Sequence, residues 1–161
     1  MKVAFIGGGT MAEALLGGIL SSNVAIAEEI KIGEPLEARR DYLTQTYNVE
    51  VLGDNNKAIS NSDLIILAVK PQDLNKVTSE LKTSITPNQT ALSIIAGTKI
   101  PTLKHSLKHP SIIRVMPNTP AQIGCGMSMW TCTPQVNTTI REITRTILSS
   151  IGKEIFIEDE K

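Results

Sequence analysis

The sequence predicts an α/β domain, a doubly wound and mostly parallel sheet covered by helices on both faces. Three observations carry that prediction. The chain opens on a short apolar run, Val3 to Ile6, which gives way to Gly7-Gly8-Gly9 and then to a segment of helical period from Thr10 to Leu20. Apolar runs of strand length then alternate with stretches of helical period to the end of the chain. Two of the runs, 63–69 and 90–96, are apolar almost without a break, as strands buried on both faces require.

A chain of 161 residues is expected to form one domain, 1–161, long enough to bury a proper core. Only 3% of it is aromatic, so that core must be aliphatic. Sixteen basic residues balance sixteen acidic ones, which speaks against nucleic acid or an anionic membrane as a partner. Cys125 and Cys132 match no metal or redox spacing and read as free thiols of a cytoplasmic protein. The run from Val3 to Ile6 is too short for a signal peptide or a membrane span and leads straight into glycines.

Taken in order, the first strand and helix enclose G-x-G-x-x-A, made by Gly7, Gly9 and Ala12, the fingerprint of dinucleotide binding. Gly7 can take the tight turn, Gly9 lacks the Cβ that would hold a pyrophosphate away, and Ala12 keeps the helix close to the strand. A helix starting near Thr10 aims unpaired N–H groups and its positive dipole end at the phosphates. A second strand, Ile30 to Ile32, closes in Gly33-Glu34-Pro35. Glu34 lies about 20 residues past the glycines, where a carboxylate can accept from adenosine ribose hydroxyls and favour NAD over NADP; it reads equally as an acid that starts the next helix. Arg39 and Arg40 in that helix suit either a 2′-phosphate or a solvated face.

Val49 to Val51 is a third strand, and Asp54 to Lys57 a turn or the start of a short helix. The apolar run 63–69 is the fourth strand, ending in Lys70-Pro71, with Pro71 placed for the first turn of a helix to about Ser84. Thr90 to Ala96 is the fifth strand, ended by Gly97. Pro101 to Leu107 is a short helix and Ile112 to Met116 the sixth strand. The segment Pro117 to Gly126 is rich in turn formers, and loops at the carboxyl ends of parallel strands are where such sheets bind ligands. Gly126 to Thr133 reads as a strand, Pro134 to Ser150 as a helix with Ile140, Ile143, Ile147 and Ile151 on one face, and Glu154 to Ile157 as the last strand.

No nucleophile with a base is evident. His105 and His109 share a helical spacing, but with no placed carboxylate or cysteine beside them a solvated helix end is the better reading, and no metal site is predicted. Lys70 suits a phosphate or a substrate acid by position alone. Hydride transfer explains the missing nucleophile, because a nicotinamide supplies the reactive hydrogen and the protein positions and shields it.

Jointly, four stretches resemble the pyrroline-5-carboxylate reductase family: Phe5 to Ala12, Leu67 to Gln72, Ser93 to Gly97 and Ile113 to Ala121, in the family's order and over the whole chain. The resemblance implies a Rossmann-type fold and reduction of the C=N bond of Δ1-pyrroline-5-carboxylate to L-proline, the last step of proline biosynthesis, by NADPH or NADH. It implies that Ile6, Gly7, Gly8, Gly9, Thr10 and Met11 hold the pyrophosphate and that Glu34 stands by the adenosine ribose. Asn55 would contact the ribose or its phosphate. Ala68, Val69, Lys70 and Pro71, with Ala96 and Gly97, would line the dinucleotide, and Met116, Pro117, Asn118, Thr119 and Pro120 would border the nicotinamide and the imine. Family members often carry serine or threonine at the position of Glu34, which leaves the choice between NADP and NAD open.

The family continues into an all-helical domain that binds the substrate carboxylate and makes a homo-oligomer. Its motifs do not occur before Lys161, so the chain is expected to be the cofactor-binding part of a longer enzyme, inactive or weakly active alone. Two alternatives stand beside this reading: a stand-alone nucleotide-binding or regulatory module, and a related β-hydroxyacid or prephenate dehydrogenase, against which the 116–120 loop argues.

Overall fold

Eight strands and six helices alternate along the chain in a computed structural model that describes residues 1–117 and 126–160. Asn118, Thr119, Pro120 and Cys125 lie outside the described residues. The order runs β1 (Val3–Ile6), α1 (Thr10–Ser21), β2 (Ile30–Gly33), α2 (Glu37–Tyr47), β3 (Glu50–Leu52), α3 (Asn55–Ile59) and β4 (Leu64–Leu67). It continues with α4 (Leu74–Leu81), β5 (Thr90–Ser93), α5 (Ile100–Leu107), β6 (Ile112–Met116), β7 (Gly126–Cys132), α6 (Thr138–Ser149) and β8 (Gly152–Phe156).

All eight strands form one sheet in the order β3-β2-β1-β4-β5-β6-β7-β8. Strands β1 to β6 are parallel throughout, as the βα alternation predicts. Strand β7 runs antiparallel to β6, and β8 runs parallel to β7. The reversal follows from length: fewer residues separate Met116 from Gly126 than the dozen or so that a parallel crossover needs. Helix α6 supplies that crossover between β7 and β8.

The unbroken apolar strands bury both faces. Val3, Phe5, Leu64 and Ile66 point to one side, against Leu15 and Ile19 of α1, Leu43 of α2 and Ile147 of α6. Ala4, Ile6, Ile65 and Leu67 point to the other, against Ile59 of α3, Val77 and Leu81 of α4, and Leu103 of α5. Helices α1 and α6 come together at Gly18, where a Cβ would collide with Ser150 Oγ.

Boundaries differ from the sequence expectation where side chains or turns decide them. Helix α6 begins at Thr138 rather than Pro134 because Asn137 caps it, its Oδ1 accepting from the Ile140 amide at 2.9 Å. The predicted helix from Pro71 opens as a single 3₁₀ turn, Pro71–Asp73, before α4, and it stops at Leu81. Strand β5 stops at Ser93, whose hydroxyl accepts from the Ile95 amide at 3.1 Å and turns the chain. Asp54 caps α3, accepting from the amides of Asn56 and Lys57.

Candidate functional site

The topological switch point of the sheet lies between β1 and β4, the strands from which the chain winds outward in opposite directions. Their carboxyl ends are tied together by the Ala68 amide, which donates to the Ile6 carbonyl at 2.8 Å, and β1 is tied to β2 by the Gly7 amide, which donates to the Gly33 carbonyl at 2.8 Å. Gly7 takes φ +97°, and a Cβ there would lie 2.6 Å from the Ala68 carbonyl oxygen, so only glycine fits. Gly9 is different. It is the N-cap of α1, it offers no side chain to the first turn, and a Cβ on it would meet nothing within 4 Å. The leading N–H groups of α1 therefore open onto empty space, the arrangement that accepts an anion.

That space is a cleft of about 530 Å³. Its walls are Gly9 to Ala12 of the loop and α1, Ala68 to Pro71 after β4, Ile94 to Gly97 after β5, and Arg114 to Pro117 at the end of β6. A smaller pocket of about 200 Å³ adjoins it on the β2–β3 side, with Ile6, Gly7, Gly33 and Asn55 among its walls. Val69 lines both. A larger polar depression of about 750 Å³ lies at the amino edge of the sheet, around Lys2, Asp63 and Gln89. It faces away from the switch point and from the glycine loop, so the carboxyl-edge cleft is the candidate site.

The structure gathers Gly9, Thr10, Met11, Ala68, Val69, Lys70, Pro71, Ala96, Gly97, Met116 and Pro117 around the cleft, and Ile6, Gly7 and Asn55 around the adjoining pocket. Asn55 sits against Gly33, where a Cβ would collide with its Oδ1, and it donates to Glu80 Oε2 at 2.9 Å. Glu34 is 8% exposed; its Oε2 accepts from the Gly8 amide at 2.9 Å and its Oε1 from the Leu36 amide, at the entry to α2, at 3.4 Å. The contact with Leu36 is the acid at a helix start that one of the two sequence readings expects.

Arg39 and Arg40 do not form a solvated face. Arg39 Nε donates to the Gly8 carbonyl and its Nη2 to Glu13 Oε1 at 2.8 Å, while Arg40 Nη1 donates to the carbonyls of Glu34 (3.0 Å) and Pro35 (2.8 Å). Glu13 Oε2 also accepts from the hydroxyls of Tyr42 and Tyr47. Burial raises the Glu13 carboxyl's pKa, but the hydrogen bonds from Tyr47, Tyr42 and Arg39 outweigh it, and the group sits below the usual carboxylate range. Burial, and then the Glu13 carboxylate, push the Tyr47 phenol well above its ordinary value.

The histidines part company. His105 is exposed, whereas His109 is buried with Nε2 2.6 Å from the Gln89 carbonyl oxygen, so the solvated helix end holds for the first and not the second. Among the described residues no cluster of His, Cys, Asp and Glu could hold a metal, and no helix is long and apolar enough to cross a membrane. Cys132 is a free thiol whose pKa burial raises. Sequence reasoning gave no role to Arg114, which lines the cleft while buried, with Nη1 3.0 Å from Glu160 Oε1. Its one signal was a lone cation inside the apolar run Ile112 to Met116.

A family model described as NADP oxidoreductase, coenzyme F420-dependent, matches residues 2–97. A pyrroline-5-carboxylate reductase of Synechocystis is 36% identical over 159 residues, 99% of this chain and 59% of the relative. That of Pseudomonas aeruginosa is 32% identical over 160 residues, 99% of this chain and 58% of the relative. Among solved structures, a pyrroline-5-carboxylate reductase from Coxiella burnetii superposes with a TM-score of 0.92 at 27% identity, covering 99% of this chain and 59% of that one. The Plasmodium falciparum enzyme with NADP bound gives 0.84 at 26%, covering 98% and 58%. The chain thus spans less than two thirds of the length of the relatives it matches. By its glycine loop, its sheet and the match across residues 2–97, the chain belongs to the NADP oxidoreductase, coenzyme F420-dependent family, and over its whole length it is similar to pyrroline-5-carboxylate reductases.

Proposed function

We propose that this chain is the dinucleotide-binding part of an NAD(P)H-dependent reductase that converts Δ1-pyrroline-5-carboxylate to L-proline, the last step of proline biosynthesis. One observation carries the reading. The described residues of the stretches through which the sequence resembles that family meet at the cleft by the switch point and the pocket beside it, and relatives named for that activity align along the whole chain. Residues 1–161 form the cofactor domain of a longer enzyme, whose helical domain completes the substrate site and the homo-oligomer.

A dinucleotide fits the residues present. The open Cβ direction of Gly9 and the uncapped start of α1 leave room and N–H donors for a diphosphate. Ile6 to Met11 hold that diphosphate, Glu34 and Asn55 face the adenosine ribose, and Ala68 to Pro71 with Ala96 and Gly97 flank the dinucleotide. Met116 and Pro117 border the reacting ring, with Asn118, Thr119 and Pro120 next in sequence. When bound, the reduced nicotinamide supplies the hydride that goes to the imine carbon, while a proton goes to the imine nitrogen. The chain's own part is to orient that ring, and the apolar walls at Ile94, Val115 and Met116 keep water from it.

Between the two nucleotides, the geometry favours NAD(H). Glu34 already carries a negative charge onto the Gly8 amide, where a 2′-phosphate would meet like charge. Replacing Glu34 by Ser should raise NADPH affinity relative to NADH by about tenfold, the effect of one unfavourable charge contact of about 1.4 kcal/mol. Isothermal titration of both nucleotides checks it, and an unchanged ratio would reject the assignment of Glu34. The activity itself is tested on the complete protein by following NADH oxidation with Δ1-pyrroline-5-carboxylate; no turnover with either nucleotide would reject the reductase.

A further inference from the structure

We infer that Glu13 is a second determinant of nucleotide choice, acting by holding Arg39 away from a 2′-phosphate. The inference rests on the dinucleotide reading above and extends it to a residue outside the glycine fingerprint. Glu34 and Arg39 bind the two sides of one residue: the carboxylate accepts from the Gly8 amide and the guanidinium donates to the Gly8 carbonyl. Arg39 therefore stands beside the place where ribose hydroxyls would meet Glu34. A cation there is what a 2′-phosphate needs, and a guanidinium is the side chain best shaped for one.

Here that cation is already taken. Nη2 of Arg39 is 2.8 Å from Glu13 Oε1, and both side chains are less than a third exposed. Glu13 cannot easily turn away to release it, because its other oxygen accepts from Tyr42 and Tyr47 of α2. Arg39 is further steered by the Tyr42 ring, 4.8 Å from its guanidinium carbon. A carboxylate fixed on α1 by two phenols thus keeps the guanidinium neutralised. Glu13 lines neither the cleft nor the adjoining pocket; it is a positioning residue.

The test measures dissociation constants of NADPH and NADH for the wild-type protein, Glu13→Gln, Arg39→Ala and the double variant. Gln keeps an oxygen for the phenols and replaces the charged acceptor facing Arg39 by an amide NH2 that cannot hold it. Glu13→Gln should shift the affinity ratio toward NADPH by about tenfold or more, the effect of freeing one charge-assisted hydrogen bond. Arg39→Ala alone should leave the ratio at its wild-type value, and in the Glu13→Gln background it should abolish the gain. A gain that survives in the double variant, or no gain in Glu13→Gln, overturns the inference. So does a selective loss of NADPH affinity in Arg39→Ala, which would make Arg39 a phosphate ligand already, and that arm decides even if Glu13→Gln fails to fold. Failure of the wild-type protein to bind either nucleotide is a separate result, and it removes the dinucleotide reading itself.

Discussion

Gly7 and Gly9 are two residues apart, yet they are glycines for different reasons, and a paired substitution separates them. Gly7→Ala forces a Cβ to φ +97° and to 2.6 Å from the Ala68 carbonyl oxygen and 2.9 Å from its carbon. Both obstacles are backbone, held in place by the hydrogen bond that the Ala68 amide donates to the Ile6 carbonyl. The unfavourable φ costs about 1–2 kcal/mol, and with the displaced peptide about 3 kcal/mol in all. For a domain of this size that lowers Tm by roughly 6–12 °C. Gly9→Ala meets nothing within 4 Å and sits at φ −81°, so its cost is that of alanine at an N-cap, about 0.5–1 kcal/mol. Its methyl would stand in the path of the diphosphate and displace it from at least one N–H donor, worth about 1.5–3 kcal/mol, or at least about tenfold in Kd. Differential scanning fluorimetry reads the first effect and isothermal titration with NADH the second. The reasoning is refuted if Gly7→Ala melts with the wild type, or if Gly9→Ala binds NADH unimpaired.

Two further outcomes follow from the packing and the charges. Gly18→Ala should destabilise by about 1–3 kcal/mol through overpacking against Ser150 and Ile151. Gly17→Ala, on the same helix with open space around its Cβ, should stabilise by about 0.5–1 kcal/mol; urea midpoints of the two variants check the opposite signs. The Glu13 network should also mark the pH profile of stability. The lowered Glu13 value gives a contribution present above the unfolded pKa of about 4.3 and lost as pH falls through the folded one. The raised Tyr47 value gives one that is complete below about pH 10 and lost as pH climbs toward the folded value. Urea midpoints of wild type and Glu13→Gln across pH should diverge most near neutrality and converge at acid pH; parallel curves would count against the network.

The opening βα unit was legible because each of its features is local. An apolar strand, a glycine turn and a helical period sit side by side in sequence, and the structure places β1 and α1 where those signals put them. The continuous apolar runs likewise read correctly as strands buried on two faces. Reversal of β7 was not written in its own residues, since direction depends on the length of the connection before it. Nor was the fate of the charged side chains legible. Arg39 and Glu13 lie far apart in sequence, and only the fold, which brings the side chains of α1 and α2 within hydrogen-bond reach, makes them partners. His109 reads as a surface residue until β5 brings the Gln89 carbonyl to its ring. In the cleft, the lining stretches were readable as strand ends; the inward turn of Arg114 toward Glu160 was not.

The distribution of the few rings in this aliphatic protein has a practical consequence. The chain has two tyrosines and one tryptophan. Both phenols converge on Glu13 beside the β2–β3 side of the sheet, whereas the indole is buried in β7, 4.8 Å from Phe156 and hydrogen-bonded to Glu154. Phenol ionisation, read as difference absorbance, and indole fluorescence excited beyond the phenol band therefore report from opposite flanks without any label. A titrant that perturbs one signal and leaves the other still can be located on the molecule by optics alone.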